Sequence, residues 1–183
     1  MNLQRLIRNW HTKAGGEEDY FSKFVFEYLA FIAYLKSNKY PDANSDRHAI
    51  QQLKRDSQLT KDYISLVHNK QELKRSWERV KKKFDAKPFQ DAARVRIDRQ
   101  EHAWWNCPHD NPKEKSSEEK ASGVIHSLKD WGNMVEFWYS VRNNLFHGAK
   151  DPERRRDQFA VEYAYKTLRE LMELLLSYSG RVR

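Results

Sequence analysis

Apolar residues recur at helical spacing through most of this chain. Between Glu17 and Ser37, the residues Phe21, Val25, Tyr28, Ile32 and Leu35 step by four and three, and Phe24, Leu29 and Phe31 widen the stripe. Glu17, Glu18 and Asp19 fall in its first turn, where the helix dipole favours negative charge, and Pro41 closes it. A second helix is predicted from Asn44–Ser45, both N-cap types, carrying Ile50 and Leu53. A third covers residues 59–84, with Leu66, Leu73, Trp77, Val80 and Phe84 on one side, a weak point at Asn69 and a stop at Pro88.

The fourth helix carries the most information. Val124, Leu128, Trp131, Val135, Trp138 and Leu145 form a 4-3-4-3 register in which position 142 fills the one gap, and position 142 is arginine. The helix is expected to stop near His147, because Gly148 is the usual left-handed cap residue. Asp151–Pro152–Glu153 then reads as an N-cap, a proline at the first helical position and an acid in the first turn. The last helix carries Val161, Ala164, Leu168, Leu171, Leu175 and Tyr178. Such stripes joined by short links predict an all-α fold, an antiparallel bundle of about five helices forming one domain over residues 1–183. Residues 88–117, with Pro108, Asp110, Asn111 and Pro112, read as an irregular insertion before the penultimate helix.

Composition narrows the function classes. Charged residues make up 33% of the chain, against roughly 25% in an ordinary domain, and the net charge is +8. Aromatics at 13%, with six Trp, argue against intrinsic disorder. Six Gly and five Pro are too few for a turn-rich sandwich or a glycine-looped nucleotide fold, and no Walker-type loop, nucleophile elbow or dinucleotide fingerprint is present. The single cysteine, Cys107, excludes an internal disulfide and fits a reducing compartment. No stretch approaches a membrane span, and Met1 to Arg8 lacks the basic-then-apolar order of a secretory leader, so the expected location is cytoplasmic. His102, Cys107 and His109 fall short of the four ligands a structural zinc needs, and no metal or other cofactor is expected.

The segment Val141-Arg142-Asn143-Asn144-Leu145-Phe146-His147-Gly148 is the strongest candidate for chemistry. A charge in a helix's core register costs several kcal/mol unless paired, and Glu27 is the only charged residue between Lys23 and Lys36, so it is the candidate partner of Arg142 across the bundle. In a regular helix five steps of about 100° leave Arg142 and His147 about 140° apart. A histidine released at the helix end can swing back towards the arginine. An imidazole able to titrate near neutrality beside an obligate cation suits acid–base chemistry on a phosphate ester. The same residues are also compatible with a buried ion pair and a simple helix cap.

Arg142-Asn143-Asn144-Leu145-Phe146-His147, at the end of a penultimate bundle helix and followed by Gly148, resembles the Arg-x(4–6)-His motif of the HEPN superfamily (higher eukaryotes and prokaryotes nucleotide-binding). The resemblance implies a metal-independent endoribonuclease in which the RNA's own 2′-hydroxyl attacks the scissile phosphate. It implies that Arg142 stabilises the phosphate charge, His147 transfers the proton and Asn143 orients them. Two copies of the motif would meet across a homodimer axis, with an antitoxin or regulatory protein as a further partner in toxin–antitoxin, antiphage or other stress responses. Some toxin subgroups carry a tyrosine two residues after the histidine; here that position is Ala149. Family members that have lost activity and only bind RNA or nucleotide are the first alternative, and a structural helical interaction module is the second.

Basic residues add to the RNA expectation. Between Lys70 and Arg99 there are eleven of them against five acids, and Lys81, Lys82 and Lys83 are candidates to track a phosphate backbone. Arg154, Arg155 and Arg156 stand in the first turn of the last helix, where positive charge is locally unfavourable, and are candidates to line a groove beside His147. Each of these basic residues also fits a solvated helix face. Trp104–Trp105 are candidates for base stacking or for pinning a loop to the core.

Overall fold

The computed structural model describes residues 2–89, 123–147 and 151–179. Those residues form seven α-helices and no strand: α1 (Leu3–Gly16), α2 (Tyr20–Tyr34), α3 (Asp46–Arg55), α4 (Ser57–Asn69), α5 (Gln71–Asp85), α6 (Trp131–Phe146) and α7 (Arg155–Ser179). The all-helical bundle expected from the periodicity is therefore present. Among the described residues no helix is long and apolar enough to cross a membrane. The unassigned stretch from residue 90 onward, with His102, Trp104, Trp105, Cys107 and His109, lies outside the described residues, as do Gly148 and Ala149.

The helix starts follow from local chemistry. Asn2, Asp19, Ser45, Asp56 and Asp130 each cap a helix by accepting a backbone N–H three residues on, which satisfies donors that have no partner inside the helix. The predicted third helix is two, because the chain turns extended at Lys70 between α4 and α5. The predicted fourth helix starts later than its pattern: Val124 and Leu128 precede the Asp130 cap, and α6 begins at Trp131. At the far end of α2 the chain widens into a π turn over Leu35–Lys39, closed by Tyr40 N–H to Leu35 C=O at 2.7 Å.

The core is aromatic. Trp138 is fully buried and its ring packs against Phe31, Tyr63, Trp77 and Trp131 with centroids 5.6–6.3 Å away. Its indole N–H donates to Thr167 Oγ1 at 2.8 Å, tying α6 to α7. Burying each such ring contributes roughly 2–3 kcal/mol, so α6 is fixed from within by this cluster. α1 folds back on α2, where Trp10 stacks on Phe26 at 5.4 Å. α3 lies along α6, and that contact positions the site described next.

Candidate active site at the end of α6

The buried face of α6 differs from the register read from the sequence. It consists of Trp131, Asn133, Met134, Val135, Glu136, Phe137, Trp138, Ser140, Val141 and Asn144. Arg142 is not among them. Its side chain is 26% exposed and lies on the edge facing α3, so it does not bear the cost of a fully buried charge. Once a helix is enclosed on most sides, its polar residues can be buried too, and a one-stripe pattern no longer identifies the core face.

Four neighbours fix the Arg142 guanidinium. Nη2 donates to Asp46 Oδ2 at 3.2 Å and Nη1 to Asn143 Oδ1 at 3.0 Å. The guanidinium lies 5.0 Å from the Phe146 ring and 5.8 Å from that of Tyr28. Tyr28 is buried, and its hydroxyl has no hydrogen-bond partner among the described residues. Burial pushes its pKa up, and the Arg142 charge opposes that rise only in part, so Tyr28 is a neutral wall of the site. Phe146, in contrast, is 54% exposed.

One and a half turns earlier on α6, the fully buried Glu136 accepts from Arg47 Nη1 at 2.8 Å through one oxygen and from Lys54 Nζ at 2.8 Å through the other. Arg47 also lies over the Tyr139 ring at 5.0 Å. Consecutive residues of α3 thus reach α6 at two points, Asp46 at Arg142 and Arg47 at Glu136. Asp46 and Glu136 were missed by the sequence reading. Their signal was weak, since an acid in a first helical turn and a glutamate in an amphipathic helix both have ordinary local explanations.

His147 is the C-cap of α6 and is exposed. Its backbone N–H still bonds Asn143 C=O at 3.0 Å, so its Cα remains on the helical ladder. Within one chain, Arg142 and His147 therefore leave the helix about 140° apart.

Glu27 is not the partner of Arg142. It is fully buried between α1, α2 and α7, where His11 Nδ1 lies 2.7 Å from Oε1 and Arg169 Nη1 lies 3.7 Å from Oε2. The basic candidates also divide. Lys81 pairs with Asp85 at 2.8 Å, Lys83 lies 5.4 Å over the Phe159 ring, and Lys82 is exposed. Arg156 donates to the Lys87 and Pro88 carbonyls at 2.8 and 3.1 Å and covers Phe84, which fastens the start of α7 to the end of α5. Arg154 lies 3.8 Å from Asp151, and Arg155 is exposed. Arg142, Asn143 and His147 lie together at the C-terminal end of α6.

In comparisons with known proteins, no family model, no curated protein and no solved structure matches this chain.

Proposed function

We propose that the chain is a metal-independent endoribonuclease of the HEPN type, working as a homodimer. The observation that carries this reading is the state of Arg142: a partly exposed guanidinium held in one pose at the end of α6, with Asn143 bonded to it and an exposed His147 on the next turn. In the reaction the RNA 2′-oxygen attacks the adjacent phosphorus and the P–O5′ bond breaks. A 2′,3′-cyclic phosphate and a 5′-hydroxyl end result, and neither water nor metal is consumed. An imidazole takes the 2′-hydroxyl proton, a proton is returned to O5′, and Arg142 offsets the charge that builds on the phosphoryl oxygens. Because Arg142 and His147 diverge on one helix, a second copy with its own Arg142 and His147 is the simplest way to place both kinds of group around one phosphate.

Asp46 supports a second reading, in which Arg142 only fastens α6 to α3 and the protein is an interaction module. A single assay separates the two. Single-stranded RNA incubated in EDTA should be cleaved by the wild type, with 2′,3′-cyclic phosphate ends, and not by Arg142→Ala or His147→Ala with unchanged circular dichroism. Cleavage persisting in either variant rejects this site. RNA binding without any product in the wild type leaves the inactive, RNA-binding form of the family as the reading.

A further inference from the structure

A second cluster of cations lies between α5 and α7, in a cleft of about 390 Å³ that shares no residue with the Arg142 site. Arg75 and Arg79 stand on its α5 wall, and Lys166 and Arg169 on its α7 wall. The floor is formed by Tyr163 and Tyr165, which are 5% and 7% exposed. The volume falls within the range of small-ligand sites.

The hydrogen bonding inside this cleft is incomplete in one direction. Arg79 Nη1 donates to the Tyr163 hydroxyl oxygen at 2.7 Å, and Arg169 Nη1 to the Tyr165 hydroxyl oxygen at 3.3 Å. A phenol that accepts from an arginine keeps its own O–H for another acceptor. Neither hydroxyl proton has one among the described residues. Arg75 and Arg79 have no carboxylate partner there either, whereas Lys166 pairs with Glu162, and Arg169 with Glu173 at 3.3 Å. Of the two acids at the rim, Glu170 is taken by Lys70 at 2.7 Å, and Glu72 is exposed. The cleft therefore presents N–H and O–H donors and, in Arg75 and Arg79, two guanidinium groups with no ion pair among the described residues, with Glu162 acting on Arg79 only at longer range.

The aromatic faces are already covered. Tyr163 stacks on Phe159 at 4.4 Å and has Lys166 over it at 5.2 Å, while Lys23 and Arg169 lie 5.8 and 6.0 Å from the Tyr165 ring. With both tyrosines buried, little ring surface is left for a base to stack on. The two α5 arginines are about 6 Å apart along the helix, and the two α7 cations line the opposite wall, so four cationic side chains from two helices border one cleft.

We propose that the α5–α7 cleft binds a small anion carrying two or more phosphate groups, recognised through the phosphates alone. Arg75 and Arg79 supply the free charge, and the Tyr163 and Tyr165 hydroxyls donate to the phosphate oxygens. Arginine–phosphate contacts are among the stronger charge-assisted hydrogen bonds. This site is independent of the ribonuclease reading, and its failure would leave that reading untouched.

Inorganic tripolyphosphate titrated into the full chain by calorimetry, at ionic strength held constant with NaCl, tests it. Binding should weaken about tenfold or more in Arg75→Gln/Arg79→Gln, and about threefold in Tyr163→Phe. It should be unchanged in Lys61→Gln, an exposed lysine of α4 outside the cleft. Arg75→Gln alone removes no hydrogen bond or ion pair among the described residues, so a loss of affinity there with unchanged circular dichroism reports on the ligand. Adenosine triphosphate should bind within a few-fold of tripolyphosphate. No tripolyphosphate binding, equal affinity in the double variant and wild type, or a nucleotide preference above about tenfold would each overturn the proposal.

Discussion

At the scale of single residues, the consequence of the observed pose is that Arg142 contributes much to the proposed chemistry and little to folding. A partly exposed ion pair is worth about 1 kcal/mol or less, and Arg142 and Asp46 are 26% and 29% exposed. Arg142→Ala should therefore lower the unfolding free energy measured by urea denaturation by no more than about 1 kcal/mol while abolishing cleavage. Asp46→Asn should leave cleavage intact or raise it, because a phosphate no longer competes with a carboxylate for the guanidinium; a loss of activity in Asp46→Asn would assign Asp46 a positive role. Glu27 gives a pH test. Burial pushes its carboxyl above the ordinary range, and the His11 hydrogen bond and the Arg169 charge hold back part of the rise, with Glu173 adding to it. Such a group binds its proton more tightly folded than unfolded, so it lowers stability as pH climbs from the ordinary value of 4.5 through the raised one. Subtracting the melting temperature of Glu27→Gln from that of wild type should give a difference that declines over this window; a flat or rising difference in scanning calorimetry contradicts it. The burial of Glu27 was legible from its apolar neighbours in sequence. Its partner was not, because His11 stands on α1, a helix the pattern reading passed over.

At the scale of elements, α1 went unread because Leu3, Leu6, Ile7, Trp10 and Ala14 are spread thinly among polar residues, and only Ile7 and Ala14 end up fully enclosed. The boundary of α6 failed for another reason: Leu128 and Val124 keep the helical spacing by coincidence, while the Asp130 cap, bonded to Asn133 and to the His126 N–H, ends the possibility of a longer helix. Glycine 123 marks what lies between α5 and α6. Its φ is +75°, its carbonyl accepts the Phe89 N–H at 2.8 Å, and a Cβ there would stand 2.1 Å from the Phe89 carbonyl oxygen. Phe89 in turn is buried against Phe84 and Phe137. The two ends of the segment between residues 89 and 123 are thus clasped together against the core. Gly123→Ala should destabilise the fold by about 2 kcal/mol or more, since a left-handed backbone and a backbone clash both oppose it. Chemical denaturation measures this, and a loss below about 0.5 kcal/mol would mean the clasp yields easily.

At the scale of the whole molecule, the proposed reaction raises the question of how two groups that leave one helix in different directions would reach one phosphate. The +8 charge of the chain does not answer it, because many of its cations are engaged: Arg47 and Lys54 on Glu136, Lys70 on Glu170, Arg156 on backbone carbonyls. The geometry of α6 is more informative. If one site took both Arg142 and His147 from the same chain, mixing inactive Arg142→Ala with inactive His147→Ala protein would restore nothing, since every chain lacks one group. If the site takes Arg142 from one copy and His147 from the other, a mixed dimer contains one intact combination. After subunit exchange at equal concentration, half of the dimers are mixed and each holds one of two possible pairings, so about a quarter of wild-type cleavage should return in an isologous dimer. The recovered activity should rise with protein concentration as dimers form. Recovery well above background with this dependence establishes shared sites. Two inactive proteins that remain inactive when mixed, under conditions where exchange is confirmed by mass spectrometry, would confine the chemistry to one chain and require His147 to turn towards its own Arg142.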